Sequence, residues 1–102
     1  MTYRYSEGIT APTEDPDYRG GMEVDVTVTT ADGTQLLSTR VTSFPVAVNY
    51  TGIKSASGVI TFHFTVQREG ATTTNPETGE IITADPVTEE KTVTREITFT
   101  QE

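Results

Sequence analysis

The sequence has no cysteine, no tryptophan and a single histidine. Without cysteine there is no disulfide framework, no thiolate metal site and no sulfur nucleophile, so the fold must hold by packing. His63 stands alone between Phe62 and Phe64. A catalytic base needs a nucleophile or an orienting carboxylate beside it, and no spacing in the chain supplies one. Long apolar runs are missing too. None approaches the roughly 20 residues that cross a bilayer, and no charged-then-apolar leader precedes a cleavage-like site. The expectation is a protein made in the cytoplasm.

Bases are scarce: seven Lys and Arg stand against 15 Asp and Glu, a net charge of −8. That balance argues against nucleic acid and anionic membranes, whose affinity comes mainly from Lys and Arg neutralising phosphates. The charge is also segregated. Residues 1–32 and 68–102 each carry −5, while 33–67 contain no acid and hold Arg40 and Lys54. The acid-free middle reads either as buried strands or as a surface complementary to the acidic ends of a neighbouring copy.

Helical periodicity and internal repeats are absent as well. What is abundant is threonine, at 22 of 102 positions, set between apolar residues in a two-residue rhythm. Such alternation puts apolar groups on one face of a pleated strand and hydroxyls on the other. It predicts strands at Met22 to Thr30, about Gln35 to Ser43, Val59 to Gln67 and Thr92 to Gln101. Asp32-Gly33 joins the first two as a hairpin turn. Pro45 makes Phe44 to Tyr50 an edge strand or one that starts after a bend. Thr51 to Gly58 reads as a polar loop. The inward sets are Met22, Val24, Val26 and Val28; Ile60, Phe62, Phe64 and Val66; and Val93, Ile97 and Phe99. The fold class is all-β: an antiparallel β-sandwich or small barrel of immunoglobulin-like type with about six to eight strands.

Two segments stand apart from this core. Residues 1–21 read as an extended arm, with Pro12 and Pro16 bracketing Glu14, Asp15 and Asp17. The arm bears Tyr3, Arg4, Tyr5, Tyr18 and Arg19, and tyrosines suit it either to lie on a partner or to pack back on its own domain. Residues 68–91 are too long for a structureless loop and predict a protruding hairpin, its tip at Asn75, Pro76, Glu77, Thr78 and Gly79. These ten residues are the candidate partner contacts, five on the arm and five on the hairpin of a single β-domain, 22–102.

Other motifs point to less. Asn75 to Gly79 is similar to a sortase sorting signal, but Glu80 to Glu102 is polar and strand-like, and Pro followed by Gly is ordinary turn chemistry. The sequon Asn49-Tyr50-Thr51 lacks an export context. The acids at 14, 15 and 17 lack the spacing of a calcium loop. Self-made isopeptide bonds join Lys to Asn beside a buried acid, and both Lys54 and Lys91 fall at expected loop or strand-end positions. No catalytic, cofactor or metal site is expected, and the chain reads as a non-enzyme.

A short, acidic, threonine-rich, cysteine-free all-β chain with an arm and a hairpin resembles the small accessory proteins of tailed-phage virions: decoration, head-tail connector and immunoglobulin-like types. The resemblance spans the whole chain in composition and layout. It implies a structural protein in a virion, assembled as a homo-oligomer or symmetric array and contacting copies of itself or a major capsid or tail protein. Two alternatives are an acidic inhibitor mimicking nucleic acid and a carbohydrate-binding module whose platform would be Tyr3, Tyr5, Tyr18 and Tyr50.

Overall fold

A computed structural model describes residues 1–68 and 70–102. Among them there is no helix, and every strand pairing is antiparallel. In chain order the strands are β1 (Tyr3–Tyr5), β2 (Val24–Thr30), β3 (Gln35–Val41), β4 (Tyr50–Ile53), β5 (Ser57–Arg68), β6 (Thr72–Thr74), β7 (Ile81–Thr83), β8 (Val87–Thr98) and β9 (Thr100–Gln101). They form a four-stranded sheet ordered β3-β2-β5-β8, a three-stranded sheet ordered β4-β1-β9, and a separate ladder β6-β7. The sheets stay open, so the barrel alternative does not hold.

The strictest alternations become the central strands. In β2, Val24, Val26 and Val28 are fully buried, and in β5 so are Ile60 and Phe62, with Phe64 almost so. Thr27 and Thr61 face each other on the opposite side, where hydroxyls meet solvent. The turn after β2 closes with Thr30 N–H donating to the Thr34 carbonyl at 2.8 Å, and Gly33 takes φ 92°. That positive φ is one only glycine adopts without strain.

The second layer is made by segments whose strand content the sequence misstates. Of Phe44 to Tyr50 only Tyr50 enters a strand, as the first residue of β4, and Val46 makes an isolated bridge to Ile9. Proline has no N–H to give a ladder, so the chain here turns Phe44, Val46 and Val48 onto the core instead of pairing continuously. The segment read as polar loop contains β4, whose Ile53 is buried. Nor are residues 1–21 a free arm: β1 is the middle strand of the smaller sheet, Tyr5, Ile9 and Pro12 are buried, and Tyr18 packs edge-on against Phe44 and Phe64 with centroids 6.2 and 6.0 Å apart. Packing back on its own domain is the arrangement observed. At Phe99 the last strand leaves one sheet for the other, β8 pairing with β5 and β9 with β1, and its ring meets Tyr5 edge-on at 5.7 Å.

The β5–β8 ladder runs from Ser57↔Thr98 to Arg68↔Val87, while β2 covers β5 only from Gly58 to His63. The rest of the ladder therefore continues past the four-stranded region. Beyond it Ala84 N–H donates to the Ala71 carbonyl at 3.0 Å, and β6 and β7 carry the two chains on to the turn. Gly70 passes so close to the Ala84 carbonyl that a Cβ would have no room. The molecule is elongated as a result, 73 × 23 × 18 Å with a radius of gyration of 19.7 Å, against about 13 Å for a compact domain of about 100 residues.

Candidate functional site

β8 alternates, but its inward row is not all apolar. Glu89, Lys91 and Arg95 share the parity of Val93, Ile97 and Phe99 and lie opposite Val66, Phe64 and Ile60 of β5. Charges on an inward face need partners, and the residues between Ile9 and Arg19 provide them. Arg95 donates to Glu14 through Nη2 at 2.6 Å and Nε at 3.0 Å, and to the Thr10 and Ala11 carbonyls at 3.3 and 3.2 Å. Its guanidinium lies 5.0 Å from the centroid of the Phe62 ring. Lys91 Nζ is 3.1 Å from Asp17 and 3.7 Å from Asp15, and Arg68 bridges Asp17 and Glu89. The acidic run thus tracks along β8 from Arg95 to Lys91 and on to Arg68 at the end of β5.

These pairs tune the groups that make them. The hydrogen bond from Arg95 holds the Glu14 carboxyl below its usual range. The bond from Lys91, helped by Arg68, does the same for Asp17, and Asp17 in turn pushes the Lys91 ammonium up. Lys91 is therefore mid-strand on an inward face, not at a strand end, and it stays an ammonium facing carboxylates. An isopeptide bond needs a neutral amine attacking a protonated or amide carbonyl, which is the opposite protonation. The acids at 14, 15 and 17 spend their oxygens on Arg95, Lys91 and Arg68, and among the described residues no cluster suited to a metal is found.

His63 lies on the outer face opposite Asp25 and Thr92, its Nδ1 3.3 Å from Thr92 Oγ1 and its Nε2 3.9 Å from Glu90. Asp25 is held by Arg40, with Nε to Oδ1 at 2.8 Å.

The ten candidate contact residues are not brought together: those of the N-terminal segment lie on the domain and those of the turn lie beyond β6. Tyr3, Arg4 and Tyr5 sit on β1; Tyr3 is half-buried and Arg4 exposed, while burial pushes the Tyr5 phenol up. Tyr18 belongs to the aromatic cluster over Phe64, and Arg19 turns its guanidinium to the Pro16 and Tyr18 carbonyls at 2.6 and 2.9 Å. Asn75, Pro76, Glu77, Thr78 and Gly79 form the turn beyond β6. Asn75 N–H donates to the Glu80 carbonyl, Gly79 N–H to the Asn75 carbonyl, both at 2.8 Å, and Asn75 Oδ1 accepts from Glu77 N–H.

Around this turn every residue of β6 and β7 is exposed, including Ile81 at 69% and Ile82 at 51%, and Val87 at the start of β8 is 61% exposed. Sequence reasoning chose the turn and passed over these three. The available signal was Ile81-Ile82 inside a stretch otherwise free of large apolar residues from Glu69 to Asp85. No protein-family model, no characterised protein and no solved structure matches this chain.

Proposed function

We propose that this chain is a non-enzymatic structural protein of a larger assembly, a virion component of the tailed-phage accessory kind. Its β-domain, of immunoglobulin-like style, sits on or between subunits, and its protruding hairpin makes the contact. The observation behind this reading is the hairpin: an exposed two-stranded ladder that presents Ile81 and Ile82 to solvent, with Val87 exposed at the start of β8 beneath it, and that adds nothing to the core. A lone two-stranded ladder is marginal in water and gains stability from a third strand or a covering surface. The ion pairs support the same reading from the other side. Glu14, Asp15, Asp17, Asp25 and Glu89 are engaged with the chain's own cations, so these acids are not free to imitate a nucleic-acid backbone.

The test is particle association in the cells that make the protein. The full chain is expected to sediment with purified particles, and a version with residues 72–83 replaced by a two-residue turn is expected to stay in the soluble fraction. A full chain that remains soluble overturns the proposal.

A further inference from the structure

We propose that the hairpin docks on the free edge of β3 in a second copy of this chain, joining copies head to tail. The inference rests on the hairpin being the contact element and names its partner and its acceptor.

The hairpin is the donor because both of its sides are bare. Among the described residues, the backbone bonds of 71–84 are all made inside the hairpin. Four edges are open to receive it: β3 and β8 in the larger sheet, β4 and β9 in the smaller. Charge chooses among them. Residues 71–88 contain Glu77, Glu80 and Asp85 and no base. β8 bears Glu89, Glu90 and Glu96, and its bases Lys91 and Arg95 are already paired with the chain's own carboxylates, so it would oppose an acidic strand, while β9 is only two residues long. The stretch 33–67 has no acid, and its Lys54 makes no ion pair among the described residues. β3, with seven residues, offers a longer edge than β4, with four.

Shape points the same way. A groove runs between the start of β3 and β4, lined by Asp32, Thr34, Leu36, Thr51, Ile53 and Lys54. Leu36 and Ile53 make part of its lining apolar, and Lys54 supplies a cation. Asp32, the acid in the lining, is turned into its own hairpin by Thr30 Oγ1 and the Thr34 N–H. A strand laid along β3 sends alternate side chains to opposite faces, so one of Ile81 and Ile82 enters this groove. Hairpin-on-hairpin pairing would be the symmetric alternative, but it brings the acids of two copies together with no base between them. A hairpin-to-β3 contact uses different patches on the two copies, and repeating it builds a ring or a filament.

The test places a photo-cross-linking residue at Ile82 in the full chain, whose exposure there leaves the fold intact by circular dichroism. One sample is the purified protein at high concentration, the other the cells that make it. The expected product is a dimer adduct mapping to residues 33–56 of the second copy, reduced at least fivefold by Lys54→Glu and by raising salt from 50 to 500 mM. No adduct with the purified protein, or one mapping to the partner copy's hairpin, overturns the inference. An adduct formed only in cells and only with a different protein also overturns it while leaving the hairpin as the contact element. No adduct in either setting overturns both.

Discussion

Arg95 grips Glu14 with two nitrogens, at 2.6 and 3.0 Å, across a sequence separation of 81 residues. The same guanidinium lies on the Phe62 ring and caps the Thr10 and Ala11 carbonyls. One side chain therefore fixes the N-terminal layer to the central sheet. The ion pair alone is a minor part, since the Glu14 side chain is 45% exposed and such pairs give about 0–1 kcal/mol. The larger loss on removing Arg95 comes from the stranded carbonyls and the vacated ring face.

Arg95→Met is accordingly expected to destabilise the fold by about 2 kcal/mol in urea unfolding, from charged hydrogen bonds and cation–π contact together. Arg95→Lys should recover only part of this, because an ammonium cannot fork to a carboxylate and also lie flat on a ring. Glu14→Gln should cost under about 1 kcal/mol. Equal losses for Glu14→Gln and Arg95→Met would mean that the ion pair dominates after all.

Acid should loosen the same layer. The carboxyls of Glu14, Asp17, Asp25 and Asp32 are held below their ordinary values by Arg95, Lys91, Arg40 and Thr30 respectively. A group with a depressed folded pKa contributes stability above its unfolded value and loses it as pH falls through the folded one. Stability should therefore hold from neutrality down to the carboxylate range near 4 and decline below it. Asp17→Asn should flatten that decline in urea titrations between about pH 2 and 5, and an unchanged slope would show that Asp17 is not among the groups responsible.

Gly58 is expected to tolerate no side chain. A Cβ there would stand 2.7 Å from the Thr29 carbonyl oxygen and 2.8 Å from the Phe99 ring. Gly58→Ala must push Phe99 off its seat where the chain changes sheets, at a cost of about 1–3 kcal/mol. The readout is the urea midpoint together with the near-ultraviolet tyrosine signal of Tyr5, which touches Phe99. Pairing the change with Phe99→Leu should give less than the sum of the two losses.

How much of this was legible depended on whether the information was local. β2 and β5 were readable because apolar residues strictly alternate over their lengths and no proline interrupts them. β8 was half readable: its threonines mark the outward face, but Arg95 and Lys91 hide the continuity of the inward one. The second layer was not readable, because Pro45 breaks the rhythm and residues 1–21 pack through contacts distant in sequence, β1 with β4 and β9 and the acids with Arg68, Lys91 and Arg95, which no local pattern encodes. The turn at Asn75 to Gly79 was found from its chemistry. Its apolar neighbours Ile81 and Ile82 were missed because two adjacent residues fall on opposite faces and suggest no buried side.

The hairpin should be the least protected part of the protein and dispensable to the rest. It holds none of the buried core residues, and its ladder is three pairs, Thr72↔Thr83 to Thr74↔Ile81, with no third strand. Local opening there breaks only those bonds, so its amides should exchange orders of magnitude faster than those of Val26 and Ile60, which open only with the whole domain. Replacing residues 72–83 with a two-residue turn should leave the unfolding free energy within about 0.5 kcal/mol of the full chain, as for changes away from buried features. Binding to a partner should reverse the first result, because a third strand protects the ladder, and should raise the apparent stability of the full chain but not of the shortened one. Slow exchange of the Thr73 and Ile82 amides in the free monomer would show instead that the ladder needs no partner to be ordered.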